Sequence, residues 1–319
     1  MKKIGVLTSG GDAPGMNAAI RSVVRCAICK GLEVAGIFRG YEGLIQADIK
    51  PLNHRSVSNI LSRGGTILKT SRSEAFMTEE GQRRAVEVIK TNRIDGLVII
   101  GGNGSYAGAL ALSKKWLIPC VGIPGTIDND VNCTDFTIGS DTALDTALGA
   151  IDKIRDTITS LERIFIVEVM GRQCGYIALN VALAAGAEQV LIPERAYDIS
   201  QMCQEITEGY IRGKASWLII VAEGVIKAHE LGEKITQCTE LETRHVVLGH
   251  IQRGGSPTSK DRILATTLGA EAVNALIKGE SGVAIGIEGE EIRIAPLEEA
   301  ITKKVLKTER IYNLIKTMS

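Results

Sequence analysis

Leu97-Val-Ile-Ile-Gly-Gly-Asn-Gly-Ser105 reads as a buried strand running into a glycine-rich turn, followed by a helix over Tyr106 to Lys114. A continuous apolar run bounded by glycines is the pattern of a parallel strand covered on both faces. Glycines at such a turn let backbone N–H groups approach an anion closely, and the helix start behind them adds the positive end of a dipole. Downstream, Pro124-Gly-Thr-Ile-Asp-Asn-Asp130 follows a second apolar strand, Pro119 to Ile123, and supplies the carboxylates of Asp128 and Asp130. A phosphate cradle and paired acids would then lie at the C-terminal ends of parallel strands, where open α/β sheets bind ligands. This is a layout for phosphoryl transfer.

The same alternation extends along the chain. Lys3–Thr8 reads as a strand that leads through Ser9-Gly-Gly-Asp-Ala-Pro-Gly15 into a helix over Asn17–Lys30, whose Ala19, Ile20, Val23, Val24, Ala27 and Ile28 follow helical spacing. Further strands are predicted at Glu33–Ile37, Gly96–Ile100, Cys120–Ile123, Arg163–Met170, Val190–Ile192, Trp217–Ala222 and His245–Leu248. Helices are predicted at Asp141–Leu161, with Leu144, Leu148, Ile151, Ile154 and Ile158 on one side, and near Gly175–Ala185, Ser200–Arg212 and Lys260–Leu276. Short loops and strand–helix alternation argue an α/β chain of two Rossmann-like lobes with mostly parallel, doubly wound sheets. The expected division is residues 1–138, residues 139–250, and a C-terminal segment, 251–319, shared between the lobes.

A chain of 319 residues can bury such a core, and Gly 35 suits many tight strand–loop–helix turns. Lys+Arg 37 balances Asp+Glu 37, so no net field attracts nucleic acid or an anionic membrane. The apolar run before Gly10 is too short for a signal-peptide core, and no stretch reaches transmembrane length, so a cytoplasmic protein is expected. Seven scattered cysteines suit reduced thiols. Cys26 and Cys29 form a CxxC, but it lies inside a predicted helix with no second pair at zinc spacing, which argues against a metal or redox role.

The loops have plainer readings. Gly102–Ala107 contains GxGxxA, but the acid a dinucleotide site needs at the end of the next strand is absent from Gly122-Ile-Pro-Gly-Thr126. The Gly10–Gly15 loop is no Walker A, because Met16-Asn17 stands where Lys-Ser/Thr is required. Either loop alone could be a structural turn; two at one sheet edge favour phosphate. Likewise Asp128 and Asp130 could cap the next helix, or serve as a general base and a holder of Mg²⁺.

With these residues in view, the sequence resembles the ATP-dependent bacterial 6-phosphofructokinases over essentially its whole length. The matching segments are Leu7-Thr-Ser-Gly-Gly-Asp-Ala-Pro-Gly-Met-Asn17, Arg63-Gly-Gly-Thr66, Gly101–Ser105, Pro124–Asp130, Met170-Gly-Arg172 and Leu248-Gly-His-Ile-Gln-Arg-Gly-Gly-Ser-Pro257. The resemblance implies the glycolytic transfer of the ATP γ-phosphoryl group to the 1-hydroxyl of fructose 6-phosphate, with Mg²⁺. Gly11, Arg72, Ser73, Gly102, Asn103, Gly104 and Ser105 would hold ATP. Asp128 would take the proton of the attacking hydroxyl, with Gly11, Thr126 and Arg172 stabilising the phosphoryl group in flight. Arg163, Arg244, His250 and Arg253 would grip the 6-phosphate, and Ile127, Met170, Gly171, Glu223, Ile251 and Gln252 would complete the sugar site. In this family two of the phosphate-binding arginines come from a neighbouring subunit, which implies a symmetric homo-oligomer, a tetramer. An effector site for ADP or phosphoenolpyruvate is implied at Arg21, Ser22, Val23, Val24, Arg25, Arg55, Asn59, Arg155, Gly186, Ala187, Glu188, Arg212 and Lys214. The spacing of Arg21 and Arg25, four apart on the polar side of the first helix, lets both reach one anion.

The chain also departs from the family pattern. Asn103 replaces the acid of Gly-Gly-Asp-Gly-Ser, which bears on Mg²⁺; an amide oxygen ligates weakly and brings no charge, leaving Asp130 and Asp12. This implies a working but weakened kinase. Ser73-Glu74-Ala75, Gln173 and Tyr176 differ as well, and His54, Asn59 and Ala215 replace basic, acidic and basic residues around the effector site, which implies blunted regulation. A non-catalytic paralogue that binds sugar phosphate or nucleotide is the alternative these departures suggest. A pyrophosphate-dependent enzyme is disfavoured, since Gly104 and Gly125 stand where such relatives carry an acid and a lysine.

Overall fold

A computed structural model describes residues 1–161, 163–214 and 216–318, with the backbone alone over 157–161. Ala215 and the side chain of Ile158, both singled out above, lie outside the described residues. In chain order the elements are β1 (Lys3–Thr8), α1 (Met16–Cys29), β2 (Glu33–Ile37), α2 (Gly40–Ile45), β3 (Ile49–Leu52), α3 (Glu79–Thr91), β4 (Gly96–Gly101), α4 (Asn103–Trp116), β5 (Cys120–Pro124), α5 (Ser140–Leu161) and β6 (Ile164–Val169). There follow α6 (Tyr176–Ala185), β7 (Gln189–Leu191), α7 (Ile199–Ile211), β8 (Trp217–Ala222), α8 (Ala228–Thr239), β9 (Thr243–Val247), α9 (Ser259–Ile277), β10 (Val283–Glu288), β11 (Glu291–Pro296), α10 (Leu297–Ala300) and α11 (Glu309–Met318). Two compact units result, one of Met1–Thr142 with Arg253–Lys304, the other of Ala143–Gln252 with Val305–Ser319.

The first unit is built on a seven-stranded sheet of order β11-β10-β5-β4-β1-β2-β3. Its five inner strands are parallel, while the edge strands β3 and β11 pair antiparallel with β2 and β10. Every residue of β4 and β5 is buried, as the unbroken apolar runs predict. On one face α1 and α9 lie side by side, with Ser22 Oγ donating to Thr266 O at 2.5 Å. Gly269 permits that approach, since a Cβ there would stand 2.7 Å from Ser22 Cβ and 2.9 Å from Ala19 O. Asp261, on the first turn of α9, accepts from Gly139 N and Thr142 N, both at 2.8 Å, and from Thr142 Oγ1. Burial pushes its pKa up, and those three donors oppose the rise.

The second unit carries a four-stranded parallel sheet of order β7-β8-β6-β9. Its core gathers Ile166, Ile219 and Val221 from the sheet with Met202, Ile206, Leu231 and Ile235 from α7 and α8. The expectation of reduced thiols throughout meets one correction: Cys203 on α7 is bonded to Cys238 on α8. The two are 35 residues apart, so no local motif marks the pair, and only the packing of the two helices brings them together. Cys26, Cys29, Cys120 and Cys133 carry free thiols. No described helix is long and apolar enough to cross a membrane.

In an open helix Gly→Ala stabilises by about 1 kcal/mol. Gly269→Ala should instead destabilise by about 1–3 kcal/mol through overpacking. A lowered urea midpoint is the expected result, and a raised one would refute the tight α1–α9 contact.

Candidate active site

In the first unit three loops leave one sheet edge side by side. Strand β1 pairs with β4 (Thr8↔Ile100) and β4 with β5 (Gly101↔Pro124), so the segments after them start as neighbours. Strand β1 also has β2 on its other side, which makes this the point where strand order reverses, the usual ligand crevice of such sheets. Ser9 N donates to Ile100 O and Gly125 N to Gly101 O, each at 3.0 Å. Ser105 Oγ donates to Ser9 O at 2.9 Å and stitches the first loop to α4.

The glycine turn is itself the first turn of α4, which begins at Asn103 rather than at Tyr106. Gly102 is the N-cap and no side chain caps the helix, so its first N–H groups have no intrahelical acceptor and face the edge. A side chain at Gly104 would enter open space, whereas one at Gly125 would press on Ile100 and Met16. Asn103 Nδ2 donates to Asp130 O at 3.2 Å and Asp130 Oδ2 at 3.1 Å, while Asn103 Oδ1 is buried without a hydrogen-bond partner. Asp128 is 3% exposed; its N–H donates to Thr126 Oγ1 at 3.2 Å. Thr126 is fixed in turn by Thr126 N to Ile138 O and Thr137 Oγ1 to Thr126 O. Ile127 is wholly buried, so only its backbone can meet a ligand. Arg72 is exposed, and the Ser73 hydroxyl donates to Glu42 at 2.6 Å.

Two residues serve this unit in ways the sequence did not reveal. Asn17 donates to Arg63 O and Gly64 O and accepts from Ile67 N, holding the Arg63–Thr66 loop; its place at the end of the first matched segment was the available signal. Arg253, expected on the sugar phosphate, donates through Nη1 to Asp12 O at 3.1 Å, and a Cβ on Gly11 would stand 2.5 Å from that nitrogen.

In the second unit β6 lies between β8 and β9, and again the segments after three neighbouring strands share an edge. Glu223 N donates to Val169 O at 2.9 Å, Leu248 N to Glu168 O at 3.0 Å, and Arg172 N to Glu223 Oε1 at 3.1 Å. Gly171 has φ 139° and Arg172 φ 51°, a sharp turn that Gly224 admits by leaving room for Arg172 O. Gln252 is fully buried; its Oε1 accepts from Met170 N at 3.3 Å and its Nε2 donates to Gly249 O, so it braces Met170. His250 and Ile251 are exposed on the turn after β9. Arg163 and Arg244 are not brought to this edge. Both sit at the N-terminal end of the sheet and share Glu242, with Arg163 Nε 2.8 Å from its carboxylate.

The positions matched to an effector site divide between the units. In the first, Arg21 and Arg25 are half-buried on α1, Arg55 and Asn59 are exposed, and Ser22, Val23 and Val24 are buried, the two valines completely. In the second, Arg155 Nη2 donates to Gly186 O at 2.8 Å, with Ala187 buried beside it. Lys214 is 3.2 Å from Glu188, which also accepts from Leu218 N. Glu188, Arg212, Lys214, Trp217 and Lys316 line a cavity of about 480 Å³.

The profile of the family described as Phosphofructokinase matches residues 3–276. A relative from Clostridium acetobutylicum named ATP-dependent 6-phosphofructokinase is 53% identical, with 100% of each chain covered. One of the same name from Brevibacillus brevis is 52% identical over the same share. Among solved structures, phosphofructokinase from Saccharomyces cerevisiae superposes with TM-score 0.87 at 37% identity over 100% of this chain and 47% of that one, so this chain spans about half its length. A pyrophosphate-dependent phosphofructokinase from Marinobacter aquaeolei gives TM-score 0.83 at 21% identity, over 99% of this chain and 92% of that one, and shares the fold. With the profile matched over most of its length and relatives of about half-identical sequence end to end, the chain belongs to the phosphofructokinase family.

Proposed function

We propose that this chain is an ATP-dependent 6-phosphofructokinase, which moves the γ-phosphoryl group of ATP to the 1-hydroxyl of fructose 6-phosphate and releases ADP. The observation that carries the reading is the buried Asp128 carboxylate on the loop after β5, beside the glycine turn after β4 and with the glycine loop after β1 one strand further along the same edge. In the first unit, the N–H groups at Gly102–Gly104 and Gly11 hold the phosphates, with Arg72 and Ser73 beside them. Open space at Gly104 suits a nucleotide donor, and an unfilled Gly125 supplies no lysine for pyrophosphate. Asp128 takes the proton of the attacking hydroxyl as the bond to phosphorus forms, and the Thr126 hydroxyl donates to the phosphoryl oxygens. In the second unit, Met170, Gly171 and Glu223 receive the sugar and Arg172 offers positive charge to the phosphoryl group.

The donor set near Asn103 fits Mg²⁺ carried in on ATP. Mg²⁺ is held by one or two carboxylates, waters and substrate phosphates rather than by an all-protein cage, and no cluster of three or more His, Cys, Asp or Glu ligands is found among the described residues. The Asp130 carboxylate and the buried, unpartnered Oδ1 of Asn103 would face it. An ion held there would neutralise charge building on the phosphate oxygens.

Strand geometry supports the oligomer that the family resemblance implies. Arg163 and Met170 bracket β6, about 20 Å apart at the rise of an extended strand, so one chain's Arg163 and Arg244 cannot join its own Met170–Glu223 edge. The proposal therefore places these two arginines in a second copy's 6-phosphate clamp, alongside that copy's His250, within a tetramer. Edge strand β9, with Val247 56% exposed, supports such an interface. Arg21, Arg25, Arg55, Arg155, Arg212 and Lys214 would receive ADP or phosphoenolpyruvate. A cytoplasmic location goes with substrates that are soluble metabolites.

Asp128→Asn should lower kcat by about 10²–10⁴-fold with both KM values nearly unchanged; a coupled assay with ATP and fructose 6-phosphate reads it, and full activity would defeat the mechanism. Asn103→Asp sets a second carboxylate against Asp130, so kcat/KM at limiting Mg²⁺ should rise by about tenfold or more and the melting temperature should become Mg²⁺-dependent. Unchanged Mg²⁺ titrations would count against this role. Mixing inactive Asp128→Ala and Arg244→Ala chains, then dissociating and reassembling them, should restore a share of activity, because some sites then combine two intact contributions. No recovery in confirmed mixed oligomers would show that Arg244 serves its own chain.

A further inference from the structure

The Cys203–Cys238 link takes no part in the chemistry above, and its surroundings suggest what it does. The Cα atoms are 6.2 Å apart, within the range a disulfide spans. Cys203 is 5% exposed and packs in the cluster of Met202, Ile206, Trp217 and Ile235, whereas Cys238 is exposed near the end of α8. A dissolved thiol or disulfide can therefore reach one sulfur of the pair while the other stays in the core. Where thiols are kept reduced, disulfides that do form are usually transient and redox-sensing.

Helix α7, which carries Cys203, also forms one wall of the cavity of about 480 Å³. Two residues beyond Cys203, Glu205 accepts from Lys316 Nζ at 2.8 Å and from Gln189. One turn further, Gly209 receives the Trp217 indole, since a Cβ there would stand 2.5 Å from the ring. Arg212 follows at the C-cap, and Lys214 lies over the same indole at 4.7 Å. Apolar side chains of α7 and α8 meet without the disulfide, so cleavage frees motion at α7 rather than removing its core.

We propose that Cys203–Cys238 is a reversible thiol–disulfide site that sets the rigidity of α7 and thereby the cavity's hold on a phosphate-bearing anion. The second half rests on the effector reading above. With a low-molecular-weight disulfide such as oxidised glutathione, the Cys238 thiolate attacks one sulfur, forming a mixed disulfide and releasing one glutathione thiolate. The Cys203 thiolate then attacks Cys238 Sγ, closing the protein disulfide and expelling the second glutathione. Each protein sulfur loses one electron, the two glutathione sulfurs gain them, and the two thiol protons end on glutathione. The oxidised pair holds α7 in place before the anion arrives, so less ordering accompanies binding.

The test uses the full chain equilibrated over a series of reduced-to-oxidised glutathione ratios, with free thiols trapped by alkylation and counted by mass. The expected result is complete interconversion of dithiol and disulfide, none of it in Cys238→Ser, with faster amide hydrogen exchange over 199–211 in the reduced form. Calorimetry with ADP as the probe should show binding to the oxidised form about fivefold tighter or more. A pair that stays bonded at every ratio, or never bonds, overturns the proposal, as does identical hydrogen exchange. Equal ADP affinity in both forms overturns the regulatory half. ADP binding to neither form defeats the effector reading, and the regulatory half with it, while thiol counting and exchange still decide the link.

Discussion

The structure depends on parallel strands that end together. Strands β1, β4 and β5 pair in one direction, so their loops are delivered to one edge with little freedom to drift, each inner strand being held on both sides. The junction is tight. A Cβ on Gly101 would come within 2.6 Å of Ser9 O and 2.3 Å of Ser105 Oγ, so any larger residue there would push the first loop away from α4. The position of a buried acid relative to the uncapped start of α4 is thus a property of backbone pairing, and loop side chains only refine it. The second unit repeats the arrangement with β6 between β8 and β9.

Most inner strands were legible because burial on both faces leaves an uninterrupted apolar run, as in Gly96–Gly101 and Trp217–Ala222. The outer strands β3 and β11 of the larger sheet, and β10 beside β11, were not. In β11, Glu-Ile-Arg-Ile-Ala-Pro alternates and is partly exposed, and β3 is the short Ile-Lys-Pro-Leu, so neither stands out from a loop. Helix α3 carried a signal that the reading above passed over, a Thr78 cap and an apolar stripe of Ala85, Val86 and Ile89. The glycine loops and Asp128 stand out in the sequence because their residue types and spacing are those a phosphate cradle and a general base would need. Arg253 on the Gly11 turn and the Cys203–Cys238 pair do not, because both are made by elements distant in sequence.

Asn103 shows how one neutral atom alters a charged site. Two carboxylates at positions 103 and 130 would repel without a cation between them. The amide instead donates to Asp130, so the turn and the acidic loop are held together before any ion or nucleotide arrives. What is given up is charge, and what remains is an acceptor, Oδ1, with no protein donor. A buried acceptor without a donor costs about 1–3 kcal/mol unless a ligand or water satisfies it, and the Mg²⁺ role proposed for this turn would relieve that cost.

In the proposed reading, strand length ties the 6-phosphate clamp to assembly. Arg163 and Arg244 rest on Glu242 at one end of a sheet whose other end carries Met170, Glu223 and the turn bearing His250. No side-chain rotation spans that distance. Arg163 and Arg244 therefore either only neutralise Glu242 or act on a ligand held by another copy of the chain. Arg163 and Arg244 are already drawn together on Glu242, so a phosphate offered there would meet two planar donor groups whose proximity is set before it arrives.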